Sequence, residues 1–273
     1  MVKTICLDAG HYGKYNLSPA VKSYYESDMA WKLHLLLKKE LESYGFKVIQ
    51  TRSTQEKDLD LYKRGTASKG CDLFLSIHSN AVGNSVNDIV DYPMVIVQLD
   101  GKGNALGKKL AECIKSTMGT KQDAQVVTKK GTSGEYYGVL RGAAAVGTMG
   151  MILEHSFHTN TKMTKWLLDE NNLAKMAKAE ADVIAAHFGV EKPTATKMVT
   201  VKLPVLKPGD SGETVKAMQI LLIGRGYPIS EKGATGNFGN ATKAALLEFK
   251  KDKGLKASEE CGVQTWSTLL GLE

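Results

Sequence analysis

Residues 150–160 read GMILEHSFHTN, an apolar run of strand character that closes on a carboxylate, Glu154. A charge at the end of a buried strand is costly unless it is paired, hydrogen-bonded or set beside a metal. Earlier runs share the same design. VKTICLD (2–8) reads as a buried strand ended by Ala9-Gly10, with His11 just past its carboxyl end, and DLFLSIH (72–78) ends on His78. FKVIQT (46–51) and MVIVQL (94–99) complete the strand set. Between the strands, apolar residues recur at helical spacing. Met29, Leu33, Leu36, Leu37, Leu41 and Tyr44 mark one helix, stopped by Gly45, and Leu106, Leu110, Cys113, Ile114 and Thr117 mark another. Shorter patterns run over 59–69, 160–170 and 172–188. Strands alternating with helices predict an α/β domain over residues 1–190: a twisted, largely parallel sheet flanked by helices.

EKPTATKMVTVKLPV (191–205) has two prolines and no helical period, and reads as a linker. Residues 206–273 predict a second, small all-α domain of three helices. The first has a cap at Asp210 or Ser211, with Val215, Met218, Leu221 and Leu222 inward. The second runs from about Asn240 to Lys253 with Ala244, Ala245 and Phe249 on one face, and the third carries Val263, Trp266, Leu269 and Leu270. Gly239–Thr242 and Gly262–Thr265 both read GxxT at a helix start, a faint internal repeat. Nothing in this bundle looks catalytic, so it reads as an accessory binding module, with a dimerisation surface as the alternative.

The composition, 42% hydrophobic and 24% charged over 273 residues, is that of an ordinary soluble protein. The net charge of +7 favours an anionic polymer. Zinc-finger spacing, a basic helix and an aromatic RNA-binding signature are all missing, so nucleic acid is not the expected partner. No apolar stretch approaches the roughly 20 residues of a membrane span. The N-terminus MVKTICLDAGH has neither the apolar core nor the cleavage site of a signal peptide. Synthesis in the cytoplasm is therefore expected, and any extracellular work would need another route out. Cys6, Cys71, Cys113 and Cys261 form no CxxC pair and read as buried reduced thiols.

In open α/β sheets, ligands bind outside the carboxyl ends of the strands. His11, His78 and Glu154 stand at such ends, and Glu26 opens the helix that follows the first strand. Two imidazoles and a carboxylate suit a catalytic zinc with one position left for water. The remaining carboxylate, Glu154, would take a proton from that water and pass it to a leaving group. Structural readings stand beside these. His11 also fits a turn after Gly10, His78 a hydrogen-bonded strand end, and Glu154 a pair with a lysine distant in sequence or with Arg141. Ser23-Tyr24-Tyr25-Glu26 fits a capping box, in which the glutamate ties back to the helix cap. His34 reads as a helix boundary residue, His187 as a last-turn residue before Gly189, and His155 as a core residue facing away from Glu154. His158 falls in the loop beyond the site, within reach of substrate or ligands.

The ordered set LDAGH, Glu26, Thr51-Arg52, LYKR (61–64), DLFLSIHSN (72–80) and EHSFHTN (154–160) resembles the zinc-dependent N-acetylmuramoyl-L-alanine amidases of the Amidase_3 type over about residues 2–188. The resemblance implies zinc held by His11, Glu26 and His78 and catalysis by Glu154; Asn80 and His158 are second-tier candidates for orienting substrate or ligands. Where the family usually has glycine after the first histidine this chain has Tyr12, which would shape the mouth of the cleft. Residues 206–271 resemble the peptidoglycan-binding domain of the PG_binding_1 type, through LKPGDSGETVKAMQ, GNFGNAT, Gly254-Leu255 and GVQTW. Lys250 stands where that family typically has glutamine, and Thr235-Gly236 replaces Asp-Gly. Together with the missing signal peptide, the two resemblances imply a phage or prophage endolysin, which accumulates in the cytoplasm and reaches its polymeric partner, bacterial peptidoglycan, when the membrane is breached. A zinc peptidase acting on the stem or cross-bridge, and a catalytically inactive wall-binding protein, are the alternatives.

Overall fold

A computed structural model describes residues 2–132, 134–192 and 202–272. The chain divides into two compact units, Met1–Thr194 and Ala195–Glu273, each with its own core. Of the expected linker, residues 193–201 lie outside the described residues.

In chain order the first unit comprises β1 (Thr4–Ala9), α1 (Glu26–Ser43), β2 (Lys47–Gln50), α2 (Leu61–Thr66), β3 (Leu73–Asn80) and β4 (Met94–Val97). There follow α3 (Asn104–Met118), β5 (Gln125–Val127), the two-residue strands β6 (Lys130–Gly131) and β7 (Gly134–Glu135), α4 (Gly138–Ala145), β8 (Met149–Phe157), α5 (Thr161–Leu168) and α6 (Glu170–Phe188). Six strands form one sheet in the order β2-β1-β3-β8-β4-β5. Every pairing is parallel except β4 with β8. One face buries Ile5, Leu7, Leu75, Ile77 and Leu153 against α1, α3 and α6, whose Leu33, Leu37, Leu41, Leu110, Ile114 and Ile184 are excluded from solvent. The other face buries Cys6, Phe74 and Ile152 against α4. Burial on both faces is why β1, β3 and β8 read as continuous apolar runs without alternation.

β5, the β6–β7 ribbon and α4 carry no usable periodic signal. α4 reads GVLRGAAA, too short and too rich in small residues for an amphipathic pattern. Its reason is backbone contact. A Cβ on Gly65 of α2 would stand 2.1 Å from the Val139 carbonyl oxygen, and one on Gly142 would stand 2.2 Å from that of Tyr62. The two helices therefore cross closer than any side chain permits.

The second unit contains α7 (Glu213–Gly224), α8 (Asn240–Asp252) and α9 (Val263–Leu270) around Val215, Met218, Leu222, Leu246, Phe249, Trp266 and Leu269. The helix starts differ from the expected cap: α7 begins at Gly212 with no side-chain cap, and Asp210 instead accepts from the Lys207 amide. Ala244, Val263 and Leu270 face solvent rather than the core. The GxxT repeat has a common geometry, since Gly239 and Gly262 share nearly the same extended backbone and Thr242 and Thr265 are both buried. Lys250 is buried as well. Its ammonium donates to the Ser258 carbonyl and hydroxyl and to the Glu260 carbonyl, which offsets its desolvation and ties down the loop before α9.

Candidate metal centre

His11, Glu26 and His78 come together at the carboxyl rim of the sheet, with one ligand atom from each lying within 4.8 Å of the others. β1 delivers His11 and β3 delivers His78. Glu26 is the first residue of α1 and is almost fully buried. The capping-box reading of Glu26 is overturned. The N-cap is Tyr25, with no side-chain capping bond, and the Glu26 carboxylate faces the two histidines instead. Its Oε1 lies 2.8 Å from His78 Nδ1 and accepts from the Ser79 amide at 3.1 Å. Its Oε2 lies 3.1 Å from His11 Nε2 and accepts from Asn16 Nδ2 at 2.6 Å. Burial alone would raise this carboxyl, but the hydrogen bonds from His11 and His78 outweigh it and hold the group well below the usual carboxylate range.

The turn carrying His11 is held from behind. His11 itself adopts a left-handed backbone, φ 59°, which a non-glycine residue keeps only when its surroundings enforce it. Arg64 on α2 donates to the Ala9 carbonyl at 3.2 Å, the His11 carbonyl at 3.1 Å and the Leu59 carbonyl at 2.9 Å. Arg52 also donates to Ala9. Asp8 is fully buried on β1, accepts from Thr51 Oγ1 at 2.6 Å and Ser76 Oγ at 2.7 Å, and lies 3.8 Å from Arg64. The TR and LYKR motifs thus work as clamps on the His11 turn. Arg64→Ala is expected to cost about 3–5 kcal/mol, the usual range for breaking a buried charge network. A urea titration reads this cost as a lower unfolding midpoint. Gly10 has a separate constraint, because a Cβ there would stand 2.4 Å from His78 Cε1; only glycine lets the turn after β1 pass the His78 ring at this distance.

Glu154 lies beside His78 in the parallel register of β3 and β8 and therefore shares its face of the sheet. It makes no pair with Arg141, whose guanidinium is spent on the carbonyls of Glu135 and Tyr136. Glu154 Oε2 is buried and has no hydrogen-bond partner among the described residues. Burial, and then the charge of Glu26, raise its carboxyl well above the usual carboxylate range. Together these residues border a pocket of about 370 Å³, which Asn80, Tyr137, Gly138, Val139 and His158 also line. The donor set suits a divalent cation: two imidazole nitrogens and a carboxylate converge, and an unpartnered carboxylate stands next to them.

The second-tier candidates part company here. Asn80 ends β3 and lines the pocket, its Oδ1 accepting from the Ala81 amide. Tyr12 does not line the pocket; it is exposed and stacks on Tyr15, which in turn stacks on His11 with ring centroids 5.0 Å apart. Tyr15 was not singled out in the sequence, where only its place four residues after His11 hints at a role. His158 is buried rather than on an open loop. β8 carries an extra residue opposite Ser79, with Ser156 at φ 59°, and this bulge lays the His158 amide on the Asn80 carbonyl at 2.8 Å. Burial lowers its imidazole pKa from the ordinary value.

His155 faces away from the site, fully buried, with Nε2 2.8 Å from Glu180 on α6. His34 is also buried rather than at a boundary, held by the Trp31 carbonyl and Gln50; desolvation brings it down to about 4. All four cysteines are free, but Cys71 and Cys113 are only half-buried, short of the full burial expected. No helix among the described residues is long and apolar enough to cross a membrane.

A family model described as N-acetylmuramoyl-L-alanine amidase matches residues 5–186, and one described as a peptidoglycan binding domain matches residues 211–269. The N-acetylmuramoyl-L-alanine amidase CwlL of Bacillus licheniformis is 29% identical over 109 residues, which are 39% of this chain and 30% of that protein. The chain thus spans about a third of the length of the curated relatives it matches. The catalytic domain of CwlV, an N-acetylmuramoyl-L-alanine amidase from Bacillus (Paenibacillus) polymyxa var. colistinus, superposes with a TM-score of 0.60 at 20% identity. That superposition covers 70% of this chain and 100% of that one. The CwlD amidase from Clostridioides difficile, in complex with the GerS lipoprotein, gives a TM-score of 0.57 at 25% identity, covering 69% and 100%.

Proposed function

The chain belongs to the N-acetylmuramoyl-L-alanine amidase family, and on that footing we propose that it is a zinc hydrolase cutting the amide between N-acetylmuramic acid and L-alanine in peptidoglycan. The observation that carries this reading is the convergence of His11, Glu26 and His78 next to a buried, unpartnered Glu154 oxygen. Zinc held by those three side chains would supply Lewis acidity at the scissile carbonyl and lower the pKa of a water to about 7.

The chain's own residues do the rest. Asn16 and the Ser79 amide fix the Glu26 carboxylate between the imidazoles. Glu154 accepts the proton of the attacking water at its free oxygen and delivers it to the departing nitrogen. The C–O bond forms as the water gives up that proton, and the C–N bond then breaks as the nitrogen receives it, leaving a lactyl carboxyl group and the free amine of L-alanine. The Glu154 Oε2 atom suits this double task, because no hydrogen-bond partner among the described residues competes for the proton.

The wall-binding module in the same chain supports peptidoglycan as the polymeric substrate, and the pairing supports a phage or prophage endolysin acting at the wall once the membrane is breached. Purified protein incubated with peptidoglycan is expected to release new N-terminal L-alanine, without new reducing sugar ends and only in the absence of chelator. Amino termini of other stem or bridge residues would mean a zinc peptidase. Binding to the wall with no release would mean an inactive wall-binding protein.

A further inference from the structure

His158 lines the pocket, yet neither metal binding nor proton transfer uses its imidazole. Its ring is fixed by two residues, Ser79 and Tyr24. Nδ1 lies 3.0 Å from the Ser79 carbonyl oxygen and 3.0 Å from Ser79 Oγ. Tyr24 stacks on the ring at a centroid distance of 5.9 Å and hydrogen-bonds Ser79 Oγ at 2.6 Å. A carbonyl oxygen can only accept, so Nδ1 carries the proton. In the neutral ring, Nε2 is then an acceptor. Nε2 lies on the far side of the ring from Ser79 and has no partner among the described residues, while His158 lines the pocket.

The geometry points to His158 as a substrate-binding residue whose Nε2 accepts a hydrogen bond from an amide N–H of the substrate beside the scissile bond. This inference rests on the amidase reading and extends it to recognition. Two parts of a muramoyl peptide carry an N–H of this kind: the peptide bond that follows L-alanine, and the acetamido group of the sugar. Their chemistry is the same, and the experiment separates them.

The full-length protein loaded with zinc is assayed on a soluble muramoyl peptide and on two analogues. One has an N-methyl group on the peptide bond after L-alanine, and the other has acetoxy in place of acetamido on the sugar. The parent protein is expected to lose about ten-fold in kcat/KM on one analogue only, the usual effect of a lost neutral hydrogen bond with its acceptor left unpaired. His158→Leu is expected to lose about ten-fold on the unmodified substrate, carried by KM, and to make no further distinction between that substrate and the same analogue. His158→Gln, which keeps an acceptor near the position of Nε2, should recover part of the loss.

Zinc content and melting temperature of both variants separate recognition from structure. If His158→Leu loses zinc or unfolds, the analogue series on the parent protein still decides. Equal rates on all three compounds would overturn the assignment while leaving the amidase reading intact. No cleavage of the unmodified compound would sink both.

Discussion

Glu154→Gln is expected to lose about 10²–10⁴-fold in kcat while binding zinc like the parent, because it removes a proton carrier and no metal ligand. The substitution keeps the shape of the side chain and its place on β8, so structural damage is a poor explanation for such a loss. The variant also makes a stability prediction of opposite sign. The Glu154 carboxyl is raised above its ordinary value in the folded protein, first by burial and then by Glu26. Its folded state therefore holds a proton that the unfolded state has released. Stability is complete below the ordinary carboxyl pKa of about 4.3 and declines as pH rises above it. Without metal at neutral pH, the glutamine variant is expected to melt above the parent, with the difference vanishing as pH falls below about 4. Full hydrolytic activity in Glu154→Gln would sink its role, and a lower melting temperature at neutral pH would contradict the buried, unpaired carboxylate.

His78→Ala should have the other large effect. It removes one of three converging donors, and with it one of the hydrogen bonds that keep Glu26 ionised inside the protein. Zinc binding and peptidoglycan hydrolysis are both expected to fall to background. Thermal unfolding reports the loss independently of activity. A ligand at a thousand times its Kd stabilises the folded state by about 4 kcal/mol. The parent melting temperature should therefore climb with added zinc while that of the variant stays flat. Elemental analysis showing zinc retained by His78→Ala would remove the residue from the ligand set.

Much of the site was legible because the sheet is parallel. Buried parallel strands read as unbroken apolar runs, and a polar residue closing such a run has to serve some purpose. Glu26 was harder to assign, since the spacing Ser23-x-x-Glu26 describes a helix cap as well as it describes a ligand. The contest is decided by His11, in the turn after β1, and His78, on β3, which face the Glu26 carboxylate in place of the local bond. Arg52 and Arg64 could be noticed as motif residues, but their work of clamping the carbonyls of Ala9 and His11 shows only in three dimensions.

The sequence by itself determined the apolar strands, the long helices, the three-helix module and the identities of His11, His78 and Glu154 as polar groups at one rim. These depend on periodicity and on the cost of burying charge, both of which are local. The tertiary structure alone decided the α2–α4 glycine crossing, the order of the strands, the half-burial of Cys71 and Cys113, the outward place of Tyr12 and the burial of His158. A bulge at Ser156 shifts the register of β8 by one residue relative to β3. No local pattern announces that shift, because its cause is the fit between two strands far apart in sequence.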